Sequence, residues 1–370
     1  MKYYLIAGEA SGDLHGANLI AALKQKDATS EFRAWGGDKM QNQGAQIVKH
    51  YKYLAFMGFW EVAKNLKTIL SYIAFCKKDI LTFKPDALIL IDYPGFNMRI
   101  AKWATILGIP VHYYIMPQVW AWKENRVRKL AKYTNYRYAI LPFEVDFFEQ
   151  KHKLSIDFVG HPLIDELSRI PKSDGGSLKA ALGLTKNEKI IALLPGSRKQ
   201  EITKILGVMT TIIDSFPDYR FVIAGTSNID QSLYRQLAPG VDIVIDQTYY
   251  LVRNADAAIV TSGTATLETA LLKTPQIVCY KTSPLSFAIA KRIVKLPFIS
   301  LVNLVLNRLL IRELIQSEFN QTELKYSLQK ILSKNSRKAI LSGYEELIEK
   351  LGGKGASEKV ASLIHKRTHA

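Results

Sequence analysis

The sequence has little cysteine, no long uncharged apolar run and a shortage of acidic side chains, and each shortage removes a class of protein. Cys76 and Cys279 are the only cysteines in 370 residues. So far apart, they supply neither a disulfide framework nor a metal cluster, which fits a reducing cytosol. No stretch offers the roughly 20 uncharged residues of a transmembrane helix. The nearest, residues 284–311, is interrupted by Lys291, Arg292, Lys295 and Arg308. The apolar run before Glu9 is too short for a signal peptide. The chain is therefore expected to be soluble, with at most a peripheral hold on a membrane. Asp and Glu number 33 against 50 Lys and Arg, a formal net charge of +17. That imbalance calls for anionic partners: nucleic acid, a phosphorylated substrate or an acidic membrane surface. The glycines at 8, 12 and 16 do not fit Gly-x-Gly-x-x-Gly, which argues against a nicotinamide cofactor.

What is present suits two domains of ordinary size, with 48% hydrophobic residues to fill their cores. Strand-like runs ending in Gly/Pro/Ser turns alternate with helical patterns as far as about residue 280. This predicts an α/β protein with parallel sheets and crossover helices. Residues 171–189, rich in Pro, Lys, Gly, Ser and Asn, read as a linker.

Six stretches are candidates for chemistry. Residues 260–268, Val-Thr-Ser-Gly-Thr-Ala-Thr-Leu-Glu, end a strand and open a helix. Free backbone N–H groups and the helix dipole at such a turn suit a phosphate, although a capped helix explains the same residues. Gly263 lets a ligand approach, Ser262 and Thr264 add hydroxyls, and Glu268 suits the paired hydroxyls of a ribose. The strand at 190–194 runs into Pro195-Gly-Ser-Arg198, where Arg198 either clamps a phosphate or forms a surface ion pair. The strand at 3–7 runs into Gly8-Glu-Ala-Ser-Gly-Asp13 ahead of a helix over 14–24, with Asp13 as its cap and His15 as acid, base or surface histidine. The buried strand ending at Ile91 delivers Asp92 to its carboxyl end, where doubly wound sheets do chemistry; an Asx turn is the alternative. Finally, Phe56, Met57, Phe59 and Trp60 surround Gly58, ahead of a helical pattern running to residue 76. This is either a core helix or a surface that dips into lipid. Six basic residues over 123–137, including Lys123 and Arg126, follow Trp120 and Trp122 on what reads as one loop and helix. They suit a solvated face or an anionic membrane interface. Grouped rather than interleaved across a sheet, they do not suit single-stranded nucleic acid.

Taken together, these motifs resemble the lipid-A-disaccharide synthases. The resemblance rests on Gly8-Glu-Ala-Ser-Gly-Asp13, Ile91-Asp92 with Pro94 and Phe96-Asn97, Val119-Trp-Ala-Trp122, Leu194-Pro-Gly-Ser-Arg198, Ser262-Gly-Thr-Ala265 with Glu268, and the run from Ser300 to Asn303. It implies a GT-B fold, two Rossmann-like domains facing across a cleft: residues 1–168, rejoined by C-terminal helices over 340–370, for acceptor and membrane, and residues 169–339 for the donor. It implies an inverting transfer from UDP-2,3-diacylglucosamine to 2,3-diacylglucosamine 1-phosphate, giving a β-1,6 disaccharide and UDP, without metal or other cofactor. Asp92 is the implied base, with Glu9 and His15 as competitors. Arg198, Ser262, Gly263, Thr264, Glu268 and Asn303 are implied on the donor. Ser11, Gly12, Asp13, Asn97, Trp120 and Trp122 are implied at the acceptor or its loops. Phe56, Met57, Phe59, Trp60, Lys123 and Arg126 are expected to touch the cytoplasmic face of the inner membrane, and a homodimer is also implied. Where some members carry Asp before the Phe, this chain has Gly95, which leaves Asp92 alone. A UDP-sugar 2-epimerase of the same architecture leaves the lipid-like stretches without purpose. A basic membrane-surface module leaves Asp92 and the phosphate turns without one.

Overall fold

The computed structural model describes residues 1–54, 66–122, 124–170, 176–185, 187–293 and 296–369. The chain divides into two compact units, Met1–Asp165 with Leu351–Ala370, and Glu166–Lys350. Among the described residues no helix is long and apolar enough to cross a membrane. Phe56, Met57, Phe59, Trp60 and Lys123, expected at the membrane, lie outside the described residues.

The first unit is built on β1 (Lys2–Ala7), β2 (Glu31–Gly36), β3 (Gln46–His50), β4 (Ala87–Ile91), β5 (Val111–Tyr114), β6 (Tyr136–Ala139) and β7 (Asp157–Phe158). All pair in parallel, in the order β3-β2-β1-β4-β5-β6-β7. Parallel strands covered by helices on both faces carry continuous apolar runs, because neither side meets water. Alternate residues of β1 and β4 accordingly feed two cores: Tyr4, Ile6, Leu88 and Leu90 on one face, Tyr3, Leu5, Ile89 and Ile91 on the other. Each such aliphatic side chain stabilises by roughly 1.5–3 kcal/mol. The C-terminal helix Ala356–His369 adds Val360, Ala361 and Ile364 to the second core, beside the helix Ala10–Lys26.

The second unit repeats the scheme with β8 (Lys189–Leu194), β9 (Tyr219–Gly225), β10 (Asp242–Ile245), β11 (Ala257–Thr261), β12 (Gln276–Tyr280) and β13 (Glu313–Ile315). Its order is β10-β9-β8-β11-β12-β13, again all parallel.

Three local expectations are corrected. The helix after β1 starts at Ala10 rather than at residue 14, so Ser11, Gly12 and Asp13 lie in its first turns and Asp13 cannot cap it. The helix after Asp92 starts at Pro94 rather than at 98, since proline at a first helical position loses no needed N–H. The basic stretch is not one loop and helix: a helix spans Val127–Tyr133, and Arg137 sits in β6.

Candidate active site

In a doubly wound sheet, ligands bind outside the carboxyl ends of the strands where the order reverses. In the first unit that point lies between β1 and β4, and it brings Glu9 and Asp92 together from sequence-distant turns. The Asp92 turn is strained. Asp92 (φ 45°) and Tyr93 (φ 47°) are consecutive non-glycine residues in the left-handed region, which costs about 1–3 kcal/mol each. The surroundings hold the turn in place. The Tyr113 hydroxyl donates to the Asp92 carbonyl at 2.6 Å. The buried Asn97 amide donates to the same carbonyl at 2.7 Å and to those of Ile91 and Ile6 at 3.3 and 3.4 Å. The Tyr93 hydroxyl donates to the Leu54 carbonyl. Gly8 is required here, because a Cβ on it would stand 2.3 Å from the Tyr93 ring.

Asp92 itself opens to solvent on one side. Withdrawal from water by the protein around its other sides raises its carboxyl to about 6; the Glu9 carboxylate adds to the rise and the Tyr93 N–H opposes it. A carboxylate so poised is a base that neutral pH keeps ionised and whose proton affinity is useful. His15 lies one turn into its helix, and burial, helped by the Lys39 charge, lowers it to about 4. Asp13 is buried and accepts from the backbone N–H groups of Gly37, Lys39 and Met40 at 2.7, 3.1 and 3.2 Å. It therefore caps the short helix Asp38–Asn42 rather than its own. Ser11 is exposed beside it and Gly12 is buried. Trp120 donates to Glu144 at 3.1 Å, and burial raises that carboxyl to about 7 against the N–H groups of Leu141 and Ile140 that it accepts. Trp122 is exposed, with the Arg126 guanidinium 5.7 Å from its ring.

In the second unit the order reverses between β8 and β11, whose residues Leu194 and Val260 pair. The Pro195–Arg198 turn and the Ser262–Thr264 turn thus leave adjacent strands. Gly196 (φ 109°) occupies a conformation only glycine takes without strain. Arg198 is 68% exposed and paired to Glu201 at 2.8 Å, so the ion pair weighed from the sequence is present. Gly263 precedes the helix Thr264–Leu271, and a Cβ there would meet nothing within 4 Å, which leaves room for a ligand against the backbone. The Ser262 hydroxyl donates to the Ile299 carbonyl. Asn303 is different. Its amide donates to Ile311 and Glu313 and accepts from the N–H groups of Leu310 and Ile311. Wholly buried, it keeps no bond for a ligand and serves to hold the segment before β13.

A pocket of about 570 Å³ in this unit is lined by Arg169, Asp246, Gln247, Thr248, Tyr249 and Glu268, among others. Burial raises the Glu268 carboxyl to about 7; the Tyr249 hydroxyl, donating to it at 3.1 Å, lowers it, and the Glu166 charge raises it. Glu268 therefore faces a cavity rather than the turn where a diphosphate would sit.

The family model for lipid-A-disaccharide synthetase matches residues 3–366. The lipid-A-disaccharide synthase of Syntrophus aciditrophicus (strain SB) is 39% identical, over 97% of this chain and 96% of that protein. That of Coxiella burnetii (strain RSA 331 / Henzerling II) is 33% identical, over 98% and 97%. The chain belongs to the lipid-A-disaccharide synthase family. Among solved structures it is similar to the UDP-GlcNAc 2-epimerase of Neisseria meningitidis bound to UDP-GlcNAc, with a TM-score of 0.67 at 15% identity, covering 100% of this chain and 99% of that one. A glycotransferase of kitacinnamycin gives 0.66 at 14%, covering 99% of both. At such identities the likeness speaks to fold alone, and it is to GT-B glycosyltransferases and epimerases. Membership of the synthase family decides between the enzyme classes and favours glycosyl transfer in lipid A synthesis over epimerisation or a non-enzymatic role. The sequence reading of this family member missed residues 246–250. Asp-Gln-Thr-Tyr-Tyr carries no motif, and only its place after the carboxyl end of β10 could have pointed to it.

Proposed function

We propose that this chain joins UDP-2,3-diacylglucosamine to 2,3-diacylglucosamine 1-phosphate, with Asp92 as general base. The observation that carries the reading is the braced, strained turn that holds a carboxyl of raised proton affinity at the switch point of the first sheet. The acceptor's 6-hydroxyl attacks the anomeric carbon of the donor sugar. Its proton passes to an Asp92 carboxylate oxygen as the new C–O bond forms. The bond to UDP breaks with its electron pair leaving on the diphosphate. Glu9 keeps Asp92 basic through like charge, and is not itself the base. On the second unit, Arg198 and the N–H groups of the Ser262–Thr264 turn hold the diphosphate as charge develops. Glu268 takes the ribose hydroxyls, and Gln247 and Thr248 line the space for the base. Arg198 must exchange Glu201 for phosphate on binding. No metal is assigned, in keeping with the absence of an Asp-x-Asp pair from the sequence.

The acceptor side is proposed to work at the inner face of the inner membrane, through Phe56, Met57, Phe59 and Trp60 and the basic run from Lys123, and the active form is proposed to be a homodimer. The test is to incubate purified protein with both lipids and identify products by mass spectrometry. A tetraacyl disaccharide 1-phosphate with one UDP per turnover supports the reading. Interconversion of UDP-GlcNAc with its 2-epimer, with no disaccharide, overturns it.

A further inference from the structure

Beside the Asp92 turn is a second cavity, of about 310 Å³, whose lining has an unusual balance. Arg99, Arg126 and Lys129 contribute three positive charges, and no acidic residue lines it. None of the three forms an ion pair among the described residues. Met98, Val119 and Leu130 give it apolar walls. Arg99 and Lys129 are exposed and Arg126 is half-buried, and Arg126 and Lys129 also border a neighbouring pocket with Glu124. Three cations around one apolar-walled cavity repel one another and gain from a multiply charged anion. The cavity adjoins the catalytic turn. Pro94 and Gly95, which line it, follow Asp92 and Tyr93 directly. The Tyr113 hydroxyl, bonded to the Asp92 carbonyl, lies near enough to sense both the Asp92 and Arg126 charges.

We propose that this pocket is the subsite for the phosphate monoester of the acceptor, with Arg99, Arg126 and Lys129 as its ligands. The proposal rests on the acceptor reading above, and goes beyond it by assigning the anion-recognising residues. In a glucosamine 1-phosphate the phosphate-bearing C1 and the CH2OH-bearing C5 flank the ring oxygen, so the phosphate and the 6-hydroxyl lie at the same end of the ring. Gripping the phosphate here leaves the hydroxyl to reach toward Asp92. Arg126, which the sequence placed at the membrane, thereby becomes a specificity residue, and the stack on Trp122 holds its guanidinium in position.

Steady-state kinetics on the full chain test this with Arg99→Gln and Arg126→Gln, each against the phosphorylated acceptor and the same acceptor lacking its 1-phosphate. Disaccharide formation by the unaltered protein is the separate check on the acceptor reading itself. Given that activity, each variant should raise the KM for the phosphorylated acceptor by about ten- to a hundredfold, the range for one charge-assisted bond. The donor KM should stay within about twofold. On the dephosphorylated acceptor, variant and parent should have the same KM. Equal losses on both acceptors would overturn the proposal. So would unchanged KM for the phosphorylated acceptor with loss of sedimentation on phosphatidylglycerol vesicles, which would give these cations to the bilayer. Circular dichroism melts of both variants establish that each is folded before the comparison is read.

Discussion

Arg198→Ala and Glu201→Gln are expected to move UDP affinity in opposite directions. Arg198 reaches over one helical turn to Glu201 at 2.8 Å, with its side chain 68% exposed. An ion pair so open to water contributes only about 0.2–1 kcal/mol. A guanidinium bonded to a diphosphate contributes about 1.5–3 kcal/mol, and the lost pair is subtracted from that gain. Arg198→Ala should therefore weaken UDP by roughly 2- to 100-fold. Glu201→Gln removes the competitor and should tighten UDP by up to roughly fivefold, since one kcal/mol is the ceiling of what the pair withholds. Glu201 also packs beneath Gly196, where a Cβ would stand 2.6 Å from its carboxylate, so glutamine keeps the shape of the turn. Titration calorimetry at fixed ionic strength reads both constants. Weaker binding in Glu201→Gln, or unchanged binding in both variants, would refute the exchange of partners.

The remaining predictions concern charge, stability and lipid. Because the base must be ionised and its carboxyl is raised to about 6, kcat/KM should rise with pH through about 6 and level off above it; a profile flat from pH 5 to 8 would exclude that assignment. Asp13→Asn should destabilise the first unit by about 1.5–3 kcal/mol, because a buried carboxylate accepting three backbone N–H groups is replaced by a group that presents donors to them; an unchanged melting temperature would contradict the capping role. Vesicle binding should fall with added salt and fall again in Phe59→Ser with Trp60→Ser, and co-sedimentation insensitive to both would make that stretch a core element.

The central strands were legible because burial on both faces leaves unbroken apolar runs such as Leu88 to Ile91, whose register needs no partner to be recognised. The placement of Asp92 directly after β4, of Arg198 in the turn after β8 and of Glu268 in the helix after β11 was legible for a related reason: each follows a readable strand. The edge and short strands were not. Residues 136–139, Tyr-Arg-Tyr-Ala, mix charge and aromatics, and they pair only because β5 and β7 lie on either side of them. Helix starts were misplaced where capping is tertiary. Asp13 reads as a local cap, but its partners lie 24–27 residues away. Asn303 shows the limit of motif transfer. Its run resembles a ligand site, yet every polar atom of its amide is committed internally, which only coordinates disclose. The cation pocket was hidden likewise, since Arg99 comes from one helix and Arg126 and Lys129 from a stretch beyond the next strand.

The most direct measurement of the central claim is the turnover of Asp92→Asn with both lipid substrates saturating. Asparagine keeps the shape of the side chain and removes its capacity to take a proton. Positioned proton transfer is worth about 10²–10⁴-fold in rate. The account predicts a fall in kcat of that size with UDP affinity close to that of the parent protein. Turnover within a few-fold of the parent would contradict Asp92 as the base and return the assignment to Glu9 or His15.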